Sequence, residues 1–576
     1  MIPVTWPGRM ALGPASTPSL ESYSGAEHHV RRIANVNRRA RLLGPIAALL
    51  AVAMAATACG SSSNADTNGK GDAGANLKPV SGGSLTVLED ASFAGGYASG
   101  LDPATNTTGG ANLPMNQSIF GGLFLLETDN NGQNAKIVPN QAESYSFSDG
   151  GKTMTIKLRP GIKFSDGTPL DAKTVVWNML RDSNSPCSCA PVWQLTKKDP
   201  IVATDDLTVQ IHMTQPNGSL ISNFPISNVN WMVSKTAFEK MGAAKFKTAP
   251  VGAGPFTVVS DQLSSELVLK KNPNYFKKGL PYLDSLTFKS IGGDQPAYQA
   301  LEAGQADAYE GMSTTPLITQ AQKNSKFTVT LGPPTSPYVI QLNTMKAPFN
   351  NIKARQAIYY ATDFSAISKG LFKQDLPANE SFTASGGLFY HKDVPGYLTY
   401  NLDKAKQLVK ELGGLTVQLG TTGIYTANQV MTALQTQWEK AGIKVTTKSL
   451  QLPQVIQAFT GGSWQAMLQT AGAWDPAAGV GVAFRFASTS PFTGVKDPKL
   501  DALFNKAAAS TDPSVRDQTY QQAAEYIAKN AYAPFGIAFA PANIVAKGVH
   551  GPGLTIPIPA LAVNSQTLWD QVWREK

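Results

Sequence analysis

Strand, turn and helix signals follow one another without a break in SDGGKTMTIKLRPGIKFSDGTPLDAKTVVWNML, residues 148–180. Apolar side chains at Met154, Ile156 and Leu158 alternate with polar ones, which is the period of a half-buried strand. The clusters SDGG and SDG on either side of it carry the residues that turns prefer. A helix is predicted to start near Asp171, because the apolar residues after it recur at helical spacing. We therefore expect a strand, a turn and a helix in this order.

The two halves of the chain differ in pattern. Before about residue 335, alternating strands such as residues 207–213 dominate, with turn residues between them. After that point helices and strands alternate, and N-caps are predicted at Asp363, Asp403 and Thr426. A last helix is predicted through residues 516–529. This alternation is typical of an α/β fold.

Length and charge limit the classes of protein that the chain can belong to. It has 576 residues, of which 42% are apolar and only 15% are charged, as in a well-packed globular protein. This length exceeds what a single hydrophobic core supports, so we expect two or more lobes. The formal net charge of +9 is spread thinly, without the clustered basic face of a nucleic-acid-binding protein. Nucleic acid is therefore not an expected partner.

The N-terminal region has the order of a secretory signal. Arg38, Arg39 and Arg41 precede an uncharged run, residues 42–58, which closes on small residues directly before Cys59. This order looks like a bacterial lipobox, which implies that Cys59 is lipidated and begins the mature protein. The alternative is a signal-anchor helix that is never cut, although the run is slightly short for a bilayer span of ~20 residues.

These signals predict where the protein resides. Residues 1–58 are interpreted as an N-terminal extension and lipoprotein signal peptide, exported by the Sec or the twin-arginine route. Residues 59–81 are interpreted as the lipidated cysteine and a flexible tether, because they are rich in Ser, Asn and Gly and poor in large apolar residues. The predicted location is the outer face of the cell membrane, reached through a lipid anchor.

The residues that carry catalytic or metal chemistry are sparse. His212, His391 and His550 are far apart and match no metal-binding or nucleophile motif. Cys187 and Cys189 lie in a Ser-, Asn- and Pro-rich stretch and are interpreted as exposed thiols or a local disulfide without function. We therefore expect no enzyme, no cofactor and no metal. A hydrolase that uses two carboxylates stays open as an alternative, because carboxylates are plentiful.

Several blocks in series resemble family 5 of the bacterial extracellular solute-binding proteins, the dipeptide- and oligopeptide-binding type. Besides the stretch at 148–180, the blocks are GGSLTVLEDASFAGGYASGLDPA (82–104), APVGAGPFTVV (249–259), KNPNYFKKGLPYLDSLTFKSI (271–291), ALEAGQADAYEG (300–311), PFNNIKARQAIYYATD (348–363) and NLDKAKQLVKELG (401–413). Their glycines, including Gly252 and Gly254, are expected to form tight turns with positive φ. Arg355 is interpreted as a structural ion-pair former rather than a ligand contact.

The resemblance implies an α/β fold with a two-lobed, periplasmic-binding-protein-like clamp of type II and an extra subdomain inserted in lobe I. The chain would cross between the lobes near residues 332–338 and return near residues 537–541. The implied ranges are 82–110, 248–333 and 538–576 for lobe I, 111–247 for the inserted subdomain and 334–537 for lobe II.

The resemblance also implies a function. A solute, by default an oligopeptide, would bind between the lobes, and closure would present the loaded monomer to the permease subunits of an ABC importer with cytoplasmic ATPases. The alternative keeps the clamp and changes the cargo to a sugar, a metal chelate or another organic solute. A receptor that senses rather than transports also stays open.

Candidate ligand contacts follow from the same resemblance. They are Phe93 and Tyr97 in the loop after the first strand, Tyr338 and Asn343 in the crossing segment, the Trp474–Asp475 turn, and Arg485, which could meet an anionic group. For each of them, ordinary packing or a surface position is the competing interpretation.

One position departs from the family pattern. Peptide-binding members typically have an aspartate three residues before the acidic-Pro pair of this turn, where it meets the free amine of the peptide. Here that position is Gly472. A buried ammonium without a counter-charge is costly, so either Asp475 takes over after a local shift or the ligand lacks a free α-amine.

Overall fold

A computed structural model describes residues 77–91, 96–106, 112–132, 134–185, 193–373, 376, 378–422, 425–470, 472, 474–479, 481–538, 540–560 and 565–576. The predicted signal, the lipidation site at Cys59 and residues 60–76 of the predicted tether lie outside the described residues, as do Phe93, Cys187 and Cys189. Residues 71–576 form one compact unit.

A seven-stranded sheet, here called the first sheet, is built from both ends of the described chain. Its order is β12-β18-β11-β1-β10-β9-β8. The strands are β1 (Ser84–Asp90), β8 (Phe256–Gln262), β9 (Glu266–Lys271), β10 (Ser285–Ile291), β11 (Ala308–Met312), β12 (Phe327–Leu331) and β18 (Ala542–Ala546).

The strand β1 is central to the first sheet and runs parallel to both of its neighbours, β10 and β11. Its side chains alternate as the sequence predicts, because Leu85 and Val87 are fully buried. The carboxyl ends of β1, β10 and β11 therefore lie at one edge of the sheet, which is where α/β folds bind ligands.

A second sheet of five strands has the order β15-β14-β16-β13-β17. Its strands are β13 (Pro337–Leu342), β14 (Leu415–Thr422), β15 (Ile443–Leu450), β16 (Ala466–Thr470) and β17 (Phe535–Ala538). In the described part of the chain, two connections join the first sheet to the second one. The chain leaves the first sheet at Leu331 and enters the second at Pro337, and it leaves the second at Ala538 and re-enters the first at Ala542.

A third sheet of four strands and a separate two-stranded ribbon lie between β1 and β8 in sequence. The strands are β2 (Phe124–Glu127) and β3 (Lys136–Pro139) in the ribbon, and β4 (Ala142–Ser148), β5 (Thr153–Leu158), β6 (Ile201–Ala203) and β7 (Thr208–His212) in the sheet. A short two-stranded pair of β19 (Val549–His550) and β20 (Trp573–Arg574) lies near the C-terminus.

The helices cover the sheets and fill the connections between strands. They are α1 (Leu113–Phe120), α2 (Ala172–Ser183), α3 (Lys235–Met241), α4 (Ala243–Phe246), α5 (Asp294–Glu302), α6 (Thr315–Gln322), α7 (Ile352–Ala361), α8 (Phe364–Ile367), α9 (Leu402–Glu411), α10 (Tyr425–Lys440), α11 (Leu452–Thr460), α12 (Val482–Phe486), α13 (Pro498–Ala509) and α14 (Pro513–Lys529).

The order of strand, turn and helix predicted for residues 148–180 is confirmed. The strand β5 buries Met154, Ile156 and Leu158, and α2 follows with Asp171 at its N-cap. The Asp171 carboxylate accepts a hydrogen bond from the Thr174 amide at 2.8 Å, which satisfies one of the free amides of the first turn.

Two of the predicted helix caps are wrong by one or two residues. Asn401, not Asp403, caps α9, and its side chain accepts from the Lys404 amide at 3.0 Å. The helix α10 begins at Tyr425, so Thr426 lies inside it and not at the cap. The cap at Asp363 is confirmed by its 2.9 Å bond from the Ala366 amide.

Gly252 and Gly254 are required for a different reason from the predicted one. Neither has a positive φ; both lie directly against the backbone at the end of α1. A Cβ on Gly254 would come within 2.6 Å of the Ile119 carbonyl, and the Gly254 amide donates to that carbonyl at 2.9 Å. The two backbones can approach only because no side chain stands between them.

Arg355 has the structural role predicted for it, but its partners are carbonyl oxygens and not carboxylates. Its guanidinium donates to the carbonyl oxygen of Phe349 at 2.8 Å and to that of Asn530 at 2.9 Å. The side chain thereby ties α7 to the end of α14.

Among the described residues, none of the helices is long and apolar enough to cross a membrane.

The close approach at Gly254 leads to a stability prediction. We expect Gly254→Ala to destabilise the protein by about 1–3 kcal/mol, because the added methyl meets backbone atoms that have no alternative rotamer. Urea unfolding followed by tryptophan fluorescence measures this loss. The matched control is Gly292→Ala, where a Cβ would meet nothing within 4 Å and φ is ordinary. Equal midpoints for the two variants would contradict the packing argument.

Candidate functional site

Among the described residues, several hydrogen bonds join loops of the first and third sheets to segments of the second sheet, and two of them are between side chains. The Ser313 hydroxyl, just after β11, lies 3.0 Å from the Thr426 hydroxyl in the first turn of α10. The Ser222 hydroxyl, between β7 and β8, donates to the Asp475 carboxylate at 2.5 Å. The edge that holds the carboxyl ends of β1 and β11 therefore faces the second sheet, which makes the space between them the candidate ligand site.

Asp294 fixes the loop that carries Ser313. One of its carboxylate oxygens accepts from the amides of Ser313 at 2.9 Å and Thr314 at 2.7 Å, and also from both hydroxyls. The other oxygen accepts from the Tyr309 hydroxyl at 3.0 Å. A carboxylate with this many donors holds the loop in one conformation.

The structure gives Asp475 a partner inside the protein. The side chain is completely buried, and Arg516 donates to its carboxylate at 2.6 Å. The Ala477 amide donates to the same oxygen at 2.8 Å, while Ser222 bonds the other. Asp475 therefore has its counter-charge in Arg516, and the expectation that it shifts to replace the absent aspartate is not supported by this geometry.

The backbone at Gly472 explains why a glycine stands there. Its φ is +152°, and its amide donates to the Ser336 hydroxyl at 2.7 Å. An aspartate at this position would be strained, because residues with a Cβ rarely adopt such a conformation. The backbone conformation at position 472 thus favours glycine over the aspartate of the family pattern.

Trp474 lies in the interior beside this turn. It is 2% exposed, its amide donates to the Ala560 carbonyl at 3.4 Å, and its carbonyl accepts from the Leu388 amide at 2.7 Å. The indole Nε1 is buried and has no hydrogen-bond partner in the described part of the chain. A buried indole N–H normally has a partner, so this donor could bind a ligand.

Tyr97 is buried in the hydrophobic core at the edge of the first sheet, in the segment after β1. Its hydroxyl donates to the Asp261 carboxylate at 2.9 Å, and its amide donates to the Ser264 hydroxyl at 3.0 Å. Burial raises the pKa of Asp261 to about 6. Burial, Asp261 and, more weakly, Glu89 raise the pKa of the Tyr97 phenol. Tyr97 therefore lies at the acidic edge of the first sheet.

Tyr338 and Asn343 occupy the two ends of β13 and differ in their surroundings. Tyr338 pairs in register with Thr470, and burial raises the pKa of its phenol to about 12. The Asn343 amide group donates to the Trp464 carbonyl at 3.0 Å and accepts from the Met345 amide at 3.2 Å. Asn343 is thus engaged in holding the chain after β13.

Arg485 lies on α12 and is half-buried. Its guanidinium is 5.2 Å from the centre of the Phe484 ring, and its Nε is buried without a partner among the described residues. Burial lowers its pKa to about 10, so it remains charged at neutral pH. A partly buried guanidinium of this kind is suited to a carboxylate or another anion.

Two carboxylates that sequence reasoning missed lie at the same edge as Tyr97. Glu89 is near the end of β1, and Glu310 is on the neighbouring strand β11. Burial raises the pKa of Glu310 to about 8, and burial together with Glu310 raises the pKa of Glu89 well above its usual value. Both residues sit in family blocks, but only the pairing of β1 with β11 brings them together.

Further polar groups with buried, unpartnered atoms occur among the described residues of the loops and elements around the site. Examples are Gln117, Thr315, Asn428 and Gln469. Such atoms are costly unless something bonds to them. Within the described ranges, His, Cys, Asp and Glu form no group of three or more that could hold a metal ion.

Comparison with known proteins identifies the class. The sequence profile of the bacterial extracellular solute-binding proteins, family 5, middle region, matches residues 136–491. The glutathione-binding protein GsiB of Pectobacterium atrosepticum is 30% identical over 404 residues, which cover 69% of this chain and 73% of that protein. GsiB of Escherichia coli K12 is 30% identical over 402 residues, 67% of this chain and 72% of that protein.

Solved structures agree on the fold. A dipeptide-binding protein from Pseudoalteromonas sp. SM9913 in complex with Met-Leu superposes with a TM-score of 0.71 at 19% identity, over 84% of this chain and all of that one. AgaA of A. tumefacien R10, in complex with agropinic acid, gives a TM-score of 0.70 at 22% identity, over 86% of this chain and 99% of that one.

These matches settle the class to which the chain belongs. The protein is a member of family 5 of the bacterial extracellular solute-binding proteins, which serve ABC importers. Its fold is the mixed α/β, two-domain fold of periplasmic peptide-binding proteins. The resemblance seen in the sequence is thereby confirmed.

The pairing of Asp475 with Arg516 leads to the next prediction. Asp475→Ala leaves a buried guanidinium without a counter-charge, so we expect a loss of about 3–5 kcal/mol in the free energy of unfolding. Urea unfolding measures it. The matched control is Glu411→Ala, which removes an exposed partner of Lys353 and is expected to cost under about 1 kcal/mol. A loss at Asp475 no larger than at Glu411 would show that the buried pair is not structural.

Proposed function

We propose that this protein is a lipid-anchored, extracytoplasmic receptor that captures a solute between its two lobes and delivers it to the permease of an ABC importer. The observation that supports the capture site best is the set of buried, unpartnered polar groups in the elements that contact one another across the two sheets. A solute that bonds to these groups stabilises the closed arrangement more than the open one, and this difference in affinity drives closure.

We propose an oligopeptide as the first cargo class. The curated relatives are named for binding glutathione, and the dipeptide-binding protein with the same fold holds Met-Leu. Phe93, Tyr97, Tyr338, Asn343, Trp474, Asp475 and Arg485 remain the proposed lining. These residues fall into two groups by their contacts. Tyr97, Asn343 and Asp475 already bond within the protein and would hold the lining of the site in place. Trp474 and Arg485 each have a donor without a partner among the described residues, and this donor could bond a ligand.

The second cargo class is a non-peptide organic solute. Two observations favour it: Gly472 removes the family's amine anchor, and AgaA, with the same fold, holds agropinic acid. A thermal-shift screen against dipeptides, glutathione and opine-type acids separates the two classes by which compounds raise the melting temperature.

The role of Arg485 gives this screen a variant. We expect Arg485→Gln to weaken binding of carboxylate-bearing probes by about 10- to 100-fold, because a charge-assisted hydrogen bond is lost. Titration calorimetry with each compound that raises the melting temperature, and with its carboxamide analogue, measures this. The control is Lys444→Gln, an exposed cation on β15. Equal affinity of Arg485→Gln and wild type would place Arg485 outside the site.

The tether requires its own test. We propose that Cys59 is lipidated and that the folded body follows on a flexible segment. Expressed in a bacterium with a lipoprotein pathway, Cys59→Ser should move the protein from the membrane fraction to the soluble fraction, because one lipid-bearing thiol is removed. Fractionation and immunoblotting read this out, with Cys187→Ser as control. Retention of Cys59→Ser in the membrane would favour the uncut signal anchor.

A further inference from the structure

Glu89 and Glu310 are neighbours across two parallel strands. The register pairs Val87 with Ala308 and Leu88 with Tyr309, so the next position brings Glu89 beside Glu310. Directly paired residues of parallel strands project from the same face of the sheet. Both side chains therefore stand together near the carboxyl ends of β1 and β11.

Each of these carboxylates has an oxygen that is shut off from solvent and unpaired. The Oε1 of Glu89 and the Oε2 of Glu310 have no hydrogen-bond partner among the described residues. The other oxygen of Glu310 accepts from the Thr567 hydroxyl at 3.0 Å, which holds that side chain in place. None of the ion pairs found in the described ranges involves either glutamate.

The pair lies on the side of the first sheet that meets the second sheet. Glu310 is three residues before Ser313, whose hydroxyl contacts Thr426. Tyr97 and Asp261 adjoin the same edge, so the surroundings are acidic. A group bound by the two glutamates would thus lie at the edge of the first sheet that contacts the second sheet.

Two neighbouring carboxylates without a cation repel each other, and this repulsion can be relieved in two ways. One or both can stay protonated, and the raised pKa values of Glu89 and Glu310 favour this form. They can instead ionise around a cation, whose hydrogen-bond donors would satisfy both free oxygens. A primary ammonium has three such donors. It fits the pair better than a guanidinium does, because the two acceptors belong to separate side chains.

Resting on the proposed function, we infer that Glu89 and Glu310 bind a primary ammonium group of the transported solute. In peptide-binding members of the family, the resemblance implies that an aspartate at position 472 binds the free amine. Here the two glutamates would bind it instead, and they lie in the opposite lobe. The solute is therefore of the class that carries a free amine, and its amine end faces the first sheet.

The test uses the full mature chain, two matched probes and three variants. The probes are Met-Leu and glutathione, each with a free amine and as its N-acetyl form, and calorimetry measures all four affinities. We expect the wild type to bind the free-amine form of at least one probe at least about 10-fold more tightly than its acetyl form. Glu89→Gln and Glu310→Gln should each lower the affinity for the free amine by about 10- to 100-fold and remove this preference.

Two further measurements exclude a merely structural effect. Glu266→Gln removes a half-buried carboxylate of the same sheet, which pairs with Lys289, and should leave all four affinities unchanged. At pH 7 the wild type should also release a proton on binding the free amine, since Glu310 with a pKa of about 8 is mainly protonated when empty and ionises beside a cation. Proton release is measured as the dependence of the binding enthalpy on the ionisation enthalpy of the buffer. The number of protons released should fall above pH 8 and should be zero in Glu310→Gln.

The outcomes separate the inference from the proposed function. If free and acetylated probes bind the wild type equally, or if the glutamine variants keep the preference, the inference falls and solute capture stands. If neither form of either probe binds, the proposed peptide cargo falls and the inference falls with it. Melting curves of both glutamine variants close to that of the wild type show that the variants are folded, as expected for a neutral group of the same shape.

Discussion

Two adjacent connections between the sheets set the architecture on which everything else depends. The chain leaves the first sheet after Leu331 and returns at Ala542, and these two residues are paired across β12 and β18. On the other side Pro337 pairs with Ala538 across β13 and β17. The Gly332 amide also donates to the Pro541 carbonyl at 3.1 Å. Both crossings therefore lie side by side, which is the arrangement expected of a hinge between two lobes.

Buried charge is handled in two ways on the two sides of the resulting site. Asp475 and Arg516 neutralise each other and tie the turn at Trp474 to α14. Glu89, Glu310 and Arg485 have no such partner among the described residues. Breaking the first kind of arrangement is expected to cost stability, whereas the second kind is the one that we propose a solute satisfies. The distinction separates residues that build the walls from those suited to bind the solute.

Local signals predicted the elements well and their ends less well. The strand at Met154 and the helix after Asp171 followed from spacing, because periodicity reports which face of an element is buried. The sequence pattern predicts a cap at Asp403, whereas Asn401 has that role. Both residue types suit a cap, and the choice depends on where the chain enters the helix from its neighbour. Gly252 and Gly254 likewise looked like turn residues, and their true constraint is the backbone at the end of α1.

From the sequence alone came the family, the α/β class and the expectation of a two-lobed clamp, since these depend on motifs and on the period of apolar residues. The pairing of Asp475 with Arg516, and the meeting of Glu89 with Glu310, could be known only from the folded chain. These residues are separated by long stretches of sequence, and strand register and loop packing, not spacing, bring their charges together. Whether a buried charge is satisfied by the protein or left for a solute is a property of that packing.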